Sequence, residues 1–286
     1  MDDDLEHLRI ALVGAGRVGT AVAALLHARG HAIVAVSSPS ETSARAAADR
    51  LDSEVIPVAS WPDHDVVLIG ASDLAIESAA RSLPPVAAPS VAVHFAGSLG
   101  LAPIRAAADR GYGLCALHPM QACPDVDTAV RRLPGSAWGV TCSGGLERWA
   151  ERLVAEHLNG IPVAVSESDR PRWHAAAAVT SNGIAALMAT GESILRPTGV
   201  DRPELVLGPL AAGTVANAVE LGGGGPTLTG PVVRGDAETL QRHLDALDEG
   251  EATVYRLVSV LILAAARRAG RISEEAFRAL SDLLAQ

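Results

Sequence analysis

The glycines of Gly14-Ala15-Gly16-Arg17-Val18-Gly19 have the spacing of a phosphate-binding turn. Gly14 suits a tight turn, Gly16 lets backbone approach a pyrophosphate, and Gly19 lets a helix pack closely on a strand. An apolar run, Leu8–Val13, precedes the turn and an Ala-rich stretch, Val18–Arg29, follows it. Free amides at the start of that helix would face the phosphates. The chemistry implied is capture of a dinucleotide. The next strand-like run, Ala32–Ser37, ends in Ser37-Ser38-Pro39, with no acidic residue to hold an unphosphorylated ribose. Hydroxyls of Ser37 and Ser38 can donate to a 2′-phosphate, and Arg17 and Arg45 are candidate cations. The pattern therefore points to NADP(H) ahead of NAD(H).

Further polar residues fall where such a sheet would end. In Gly70–Ile76, Asp73 either caps the next helix or, with Ala71 and Ser72, lines the path of the nicotinamide. His94 and Ser98 in HFAGSLG and His118 in LHPMQ supply donors suited to a substrate carbonyl or carboxylate. In Trp173–Leu187, His174 and Ser181 lie two turns apart on one helix face, with Asn182 adjacent. His174 suits proton donation or carbonyl polarisation, since an imidazole titrates near ~6.5; Ser181 and Asn182 suit substrate orientation. Thr214 and Asn217 share a face of a later helix, and Arg234 in LTGPVVRGD is a candidate carboxylate anchor. Cys123 follows His118 without completing a zinc set, so no metal site is expected.

The elements that must position these residues come in two blocks. Apolar runs at Leu8–Val13, Ala32–Ser37, Val66–Ala71, Val91–Phe95 and Gly113–Leu117 alternate with Val18–Arg29, Thr42–Leu51, Leu74–Arg81 and Leu101–Arg110. Short Val/Ile/Leu runs between helices predict a doubly wound parallel sheet of the Rossmann type, buried on both faces. Ala137–Cys142, Leu146–His157 and Ile161–Val165 extend that layer. Beyond Ser166 the pattern is helical: Asp169–Gly191, Pro203–Leu221, Ala237–Leu247, Thr253–Ala269 and Ser273–Leu284, with an irregular loop through GGGGPTLTGPVVRGD. The predicted organisation is α/β, with a dinucleotide-binding domain over residues 1–166 and an all-α substrate and dimerisation domain over residues 167–286.

Composition narrows the function classes. A net charge of -10 argues against nucleic acid and anionic membranes as partners. The apolar segment VYRLVSVLILAAARRAG contains Arg256 and falls short of the roughly 20 residues a bilayer needs. Its acidic start reads as no secretory signal, and its three cysteines form no CxxC pair. A cytoplasmic enzyme acting on a small molecule is expected, and Ala/Leu-rich helices lead us to expect a homodimer.

The ordered motifs GAGRVG, ASD, HFAGSLG, LHPMQ, HAAAAVTSN, GPLAAGTVANAVELG, LTGPVVRGD and LDALDEGEATVYRLV cover nearly the whole chain. Together they resemble a bacterial family with a Rossmann-like domain and a helical C-terminal domain of unknown function. That family is similar to pyrroline-5-carboxylate reductase, 6-phosphogluconate dehydrogenase-like β-hydroxyacid dehydrogenases and ketopantoate reductase. The resemblance implies NADPH-dependent reduction of a small oxo acid, ketopantoate being the named candidate. Alternatives are reduction of a cyclic imine and a non-catalytic NADP-binding regulator. In the β-hydroxyacid dehydrogenases a catalytic Lys precedes an Asn by four residues; Asn182 fits the Asn, but Ala178 stands at the Lys position and the chain has no Lys.

Overall fold

A computed structural model describes residues 5–285; the acidic residues 2–4 of the expected N-terminal reading lie outside the described residues. The chain divides into two compact units, Met1–Ser181 and Asn182–Gln286.

The first unit is a mostly parallel sheet in the order β2-β1-β3-β4-β5-β6-β7. Its strands are β1 (Arg9–Val13), β2 (Ala32–Ser37), β3 (Val66–Ile69), β4 (Ser90–His94), β5 (Tyr112–Pro119), β6 (Ala137–Cys142) and β7 (Ile161–Ala164). Alternate residues feed two cores. Ile10 and Leu12 face one, with Leu68, Val93 and Leu117; Ala11 and Val13 face the other, with Val67, Ile69 and Ala92. Because both faces are covered, the strands read as unbroken apolar runs. Helices α1 (Arg17–His27), α5 (Val126–Arg132) and α6 (Glu147–Arg152) cover the first face through Ala21, Ala129 and Trp149. On the second lie α3 (Ile76–Ser82) and α4 (Arg105–Ala108), through Ile76, Ala80 and Ala107. A separate helix, α2 (Glu41–Arg50), follows β2 with its N-cap Ser40 accepting from Ser43 N–H.

Two expectations change. The β5·β6 pair is antiparallel, β6 returning beside β5 after α5, so the sheet is not parallel throughout. The crossover helix expected over Leu101–Arg110 shortens to α4 behind a 3₁₀ turn, Ala102–Ile104, with Pro103 in its first turn.

Helix α7 (Arg170–Leu195) starts in the first unit and continues into the second. The segment Ser166–Asp169 forms its entry, Ser166 Oγ accepting from Asp169 N–H. The second unit continues with α8 (Pro203–Glu220), the one-turn helices α9 (Gly224–Thr227) and α10 (Pro231–Arg234), α11 (Ala237–Ala246), α12 (Glu249–Arg268) and α13 (Glu274–Leu284). Its core joins Val232, Leu240, Leu263, Leu280 and Leu284. Asp248 and Glu251 form a reciprocal capping box that starts α12. Among the described residues, no helix is long and apolar enough to cross a membrane.

Candidate functional site

The glycine turn leaves β1 beside β3, where the strand order reverses and open α/β sheets hold their ligands. Gly14, at φ +80°, takes a left-handed conformation that makes the turn, and its N–H donates to Ser37 O at 2.7 Å. Gly16 N–H donates to Gly70 O at 3.0 Å, and a Cβ on Gly16 would overlap that carbonyl. A Cβ on Gly19 would stand 2.6 Å from Gly70 Cα. The glycine spacing thus also serves contact with the end of β3, not phosphate approach alone. Helix α1 begins at Arg17 with no acidic residue in its first turn, and the amides of Arg17, Val18 and Gly19 precede its hydrogen-bond ladder.

Around this turn the expected contacts vary. Ser37 and Ser38 are half-buried at the end of β2, while Ala71 follows β3 against Gly14. Ser72 and Asp73 are exposed; Asp73 sits inside a 3₁₀ turn and caps no helix, so that alternative is set aside. The Arg17 guanidinium donates to Pro124 O, and Arg45 pairs with Glu41.

Three aromatic side chains meet at the ends of β4 and β5. His118, in β5, lies opposite Gly139 of β6. Because Gly139 has no side chain, the Trp173 indole lies on it; a Cβ there would stand 2.8 Å from Trp173 Nε1. Trp173 Nε1 donates to His118 Nδ1 at 3.0 Å. His118 is consequently the neutral tautomer with its hydrogen on Nε2. Burial, with help from nearby His174 and Arg170, pushes its pKa down to about 4. The His174 ring meets His118 edge-on, with centroids 5.2 Å apart. Both converge on Gly97: a Cβ there would overlap His174 Nδ1 and stand 2.8 Å from His118 Nε2. His174 Nδ1 is buried without a hydrogen-bond partner among the described residues. A buried polar atom left without a partner costs free energy, so this nitrogen is open to a hydrogen bond from a bound molecule.

The loop carrying Gly97 and Ser98 is held from several sides. Arg170, fully buried, donates to Ala96 O at 2.6 Å, Ala116 O at 3.1 Å, Gly139 O at 3.4 Å and Thr141 Oγ1 at 3.2 Å. It therefore ties together the ends of β4, β5 and β6, and burial lowers its pKa to about 10. Glu167 accepts from Leu101 N–H at 2.9 Å.

His94 belongs to this scaffold. It is fully buried, Nε2 donating to Gly100 O at 2.8 Å and Nδ1 accepting from Ala96 N–H at 3.2 Å. Burial pushes its pKa to about 4. With both nitrogens spent, it has no donor left for substrate; the expected substrate role is corrected to loop support. Ser98 is half-buried on the same loop.

Sequence reasoning missed Arg170, Trp173 and Gly97. Glycine inside the β6 run is a sign of close backbone approach, but it does not say that Trp173 is what approaches. No comparable signal marks Arg170.

Ser181, on α7, and Asn182, which opens the second unit, are both exposed. Within that unit Thr214 and Asn217 line a cavity of about 460 Å³, where the Thr214 hydroxyl donates to Leu210 O. Arg234 is exposed and lies 4.0 Å from Asp236.

Residues 2–119 match the Rossmann-like domain family, and residues 136–262 match the domain of unknown function DUF2520. No curated protein matches the sequence. Among solved structures, a Bacteroides fragilis protein assigned as an NADP oxidoreductase superposes with TM-score 0.72 at 24% identity, over 91% of this chain and 99% of that one. A reductive aminase from Aspergillus terreus, in complex with NADPH and ethyl-5-oxohexanoate, gives TM-score 0.60 at 17% identity, over 97% and 92%. A pyrroline-5-carboxylate reductase from Coxiella burnetii gives 0.60 at 15%, over 98% and 97%. At these identities the likeness establishes the fold.

Proposed function

We propose that this chain, which joins a Rossmann-like domain to a DUF2520 domain, is an NADPH-dependent oxidoreductase that reduces a small oxo acid, with ketopantoate the candidate substrate. The observation that carries this reading is the convergence of His118 and His174 on Gly97, at the strand ends of a sheet whose first turn leaves helix amides free.

The turn fits the nucleotide. Its first-turn amides are placed for a diphosphate, no acid opposes the charge, and β2 ends in Ser37 and Ser38 without a carboxylate. That ending favours NADP(H) over NAD(H), as do the NADPH complex of the aminase and the Bacteroides protein. A bound nicotinamide supplies the hydride. The chain's part is to hold the carbonyl and manage its proton. His118, held neutral, offers Nε2–H as a hydrogen bond to the carbonyl oxygen and stabilises the charge that develops there. His174 supplies the proton. Ser98 and Ser181 orient the substrate, while Asn182, Thr214, Asn217 and Arg234 of the second unit remain candidates to be tested by substitution.

Reduction of a cyclic imine is the second reading. A protonated imine already carries positive charge, so a site with a neutral His118 and no lysine suits it. The Coxiella and Aspergillus structures are of proteins named for such chemistry. Parallel assays of NADPH oxidation with ketopantoate and pyrroline-5-carboxylate separate the two: turnover of ketopantoate supports the first, turnover of the imine alone the second. Binding of NADPH with no turnover across carbonyls and imines would instead indicate a regulator.

A cytoplasmic homodimer completes the proposal. Leu205, Val206, Leu210 and Val219 of α8 and Leu257 and Leu261 of α12 are all exposed, apolar side chains that a second copy of the chain could cover. Light scattering on the eluted protein tests it, and a monomer mass would remove it.

A further inference from the structure

Two of the three cysteines face each other across the one antiparallel pair in the sheet. Cys115 of β5 is directly opposite Cys142 of β6. The ladder's bonds show which kind of pair this is. Ser143 N–H donates to Leu114 O at 2.8 Å, and Met120 N–H donates to Ala137 O at 2.8 Å. Hydrogen-bonded and non-hydrogen-bonded pairs alternate along such a ladder, so Cys115 and Cys142, one step from Leu114 and Ser143, form a non-hydrogen-bonded pair. Opposed Cα atoms there lie about 4.5 Å apart. A disulfide spans roughly 4.4–6.8 Å between Cα atoms. Each thiol shifts the other's titration, Cys115 upward and Cys142 downward.

We propose that Cys115 and Cys142 form an oxidation site, at which a small neutral peroxide makes a cross-strand disulfide.

Their surroundings divide the work. Cys115 is fully buried, and burial holds its thiol protonated. Cys142 is half-buried and lines a cavity of about 370 Å³. The neighbouring Cys115 is the largest cause that lowers the Cys142 thiol below its ordinary value. Cys142 is therefore the attacking sulfur. Its thiolate takes one oxygen from hydrogen peroxide, giving a sulfenic acid and, with one proton, a water. The Cys115 thiol then displaces the sulfenic hydroxyl as a second water and forms the S–S bond. Two thiols lose two electrons, and the peroxide gains them. Glu147, Glu151 and Glu167 share the cavity wall with Cys142, and their carboxylates repel an anionic oxidant such as glutathione disulfide. A neutral peroxide meets no such barrier.

The bond would join residues next to Ala116 and Thr141, both held by Arg170. Oxidation thus reaches the strand that carries His118. The site does not depend on the proposed reaction, and its test does not use turnover.

The full chain carrying Cys123→Ser, so that only the opposed thiols remain, is treated with hydrogen peroxide, alkylated and digested with trypsin, which cuts at Arg131 and Arg132 between them. Expected is a cross-linked pair of peptides lighter by two hydrogens than their sum, and loss of alkylation at both cysteines together. In Cys115→Ser, the sulfenic acid persists on Cys142 and is trapped by a dione reagent. Both thiols remaining alkylatable after peroxide would overturn the proposal, as would a Cys142 sulfinic acid with no cross-link in the chain that keeps Cys115. Faster bridging by glutathione disulfide than by peroxide would overturn the choice of oxidant. The cross-link measurement needs neither partner replaced, so misfolding of Cys115→Ser leaves it decisive.

Discussion

Trp173 donates its indole N–H to Nδ1 of His118 at 3.0 Å, and an indole nitrogen can only donate. One hydrogen bond therefore decides both the charge and the direction of the His118 imidazole. A protonated His118 would set two donors against each other, so the contact favours the neutral ring that burial also favours.

Replacing Trp173 by Phe keeps the ring on Gly139 and removes the donor. The loss of a hydrogen bond worth about 1 kcal/mol is expected to cut kcat by roughly fivefold. The pKa of His118 should also rise, but burial persists and keeps it below the ordinary ~6.5, so the acid limb of the pH profile moves upward. Nitrogen NMR of the labelled imidazole checks the tautomer directly. An unchanged ring spectrum and an unchanged pH profile would show that Trp173 only packs.

His174 and Gly97 act as a pair of tests. His174→Ala is expected to lower kcat by about 10²-fold or more, the range for loss of a general acid. Gly97→Ala keeps the imidazole but puts a methyl group where His174 Nδ1 sits, so turnover should fall while the chain stays folded. Gly144→Ala is the control, since a Cβ there meets nothing within 4 Å. Full activity in His174→Ala with the true substrate would remove its assigned role.

Arg170 carries structure. Arg170→Met leaves the carbonyls of Ala96, Ala116 and Gly139 without this donor, and bonds to a charged donor are worth about 1.5–3 kcal/mol each. Because these bonds are not additive, the expected loss is about 3 kcal/mol, read from urea unfolding. Arg170→Lys should recover little of it, because one ammonium cannot reproduce the planar fork. Stability within 0.5 kcal/mol of the parent, the ordinary range of about ±0.5 kcal/mol for surface changes, would contradict this role.

Acid stability follows from the buried imidazoles. His31, His94 and His118 are each lowered to about 4, burial being the largest cause. An unfolded chain takes up protons at these residues near ~6.5, while the folded chain resists until about pH 4. Between those limits the unfolded state binds more protons, so stability falls as pH falls. Tm measured across that window should decline steadily toward the acid end. A flat Tm would show that the three rings protonate without unfolding.

Some of this was legible in the residues themselves. Gly14, Gly16 and Gly19 announced the turn, since their spacing is tied to a local strand and helix. Val66, Val67, Leu68 and Ile69 announced a strand covered on both sides. His118 and His174 were legible as candidates, because strand ends and helix faces follow from local periodicity. Their meeting was not, since it depends on Gly97 and Gly139 both lacking a side chain at contacts far apart in sequence. Arg170 was invisible for the same reason: its partners come from two strands and the loop after a third. His94 shows the opposite error. A histidine at a strand end looked like a ligand contact, yet its bonds to Ala96 and Gly100 close a local loop. The direction of β6 depended on how α5 returns the chain, which its apolar pattern did not encode.

The nucleotide is the point on which the functional reading turns. Calorimetric titration of NADPH and NADH into the folded chain tests it most directly. Saturable binding of NADPH, tighter than NADH, is expected. No heat of binding with either nucleotide, from protein whose circular dichroism shows an intact fold, would contradict it.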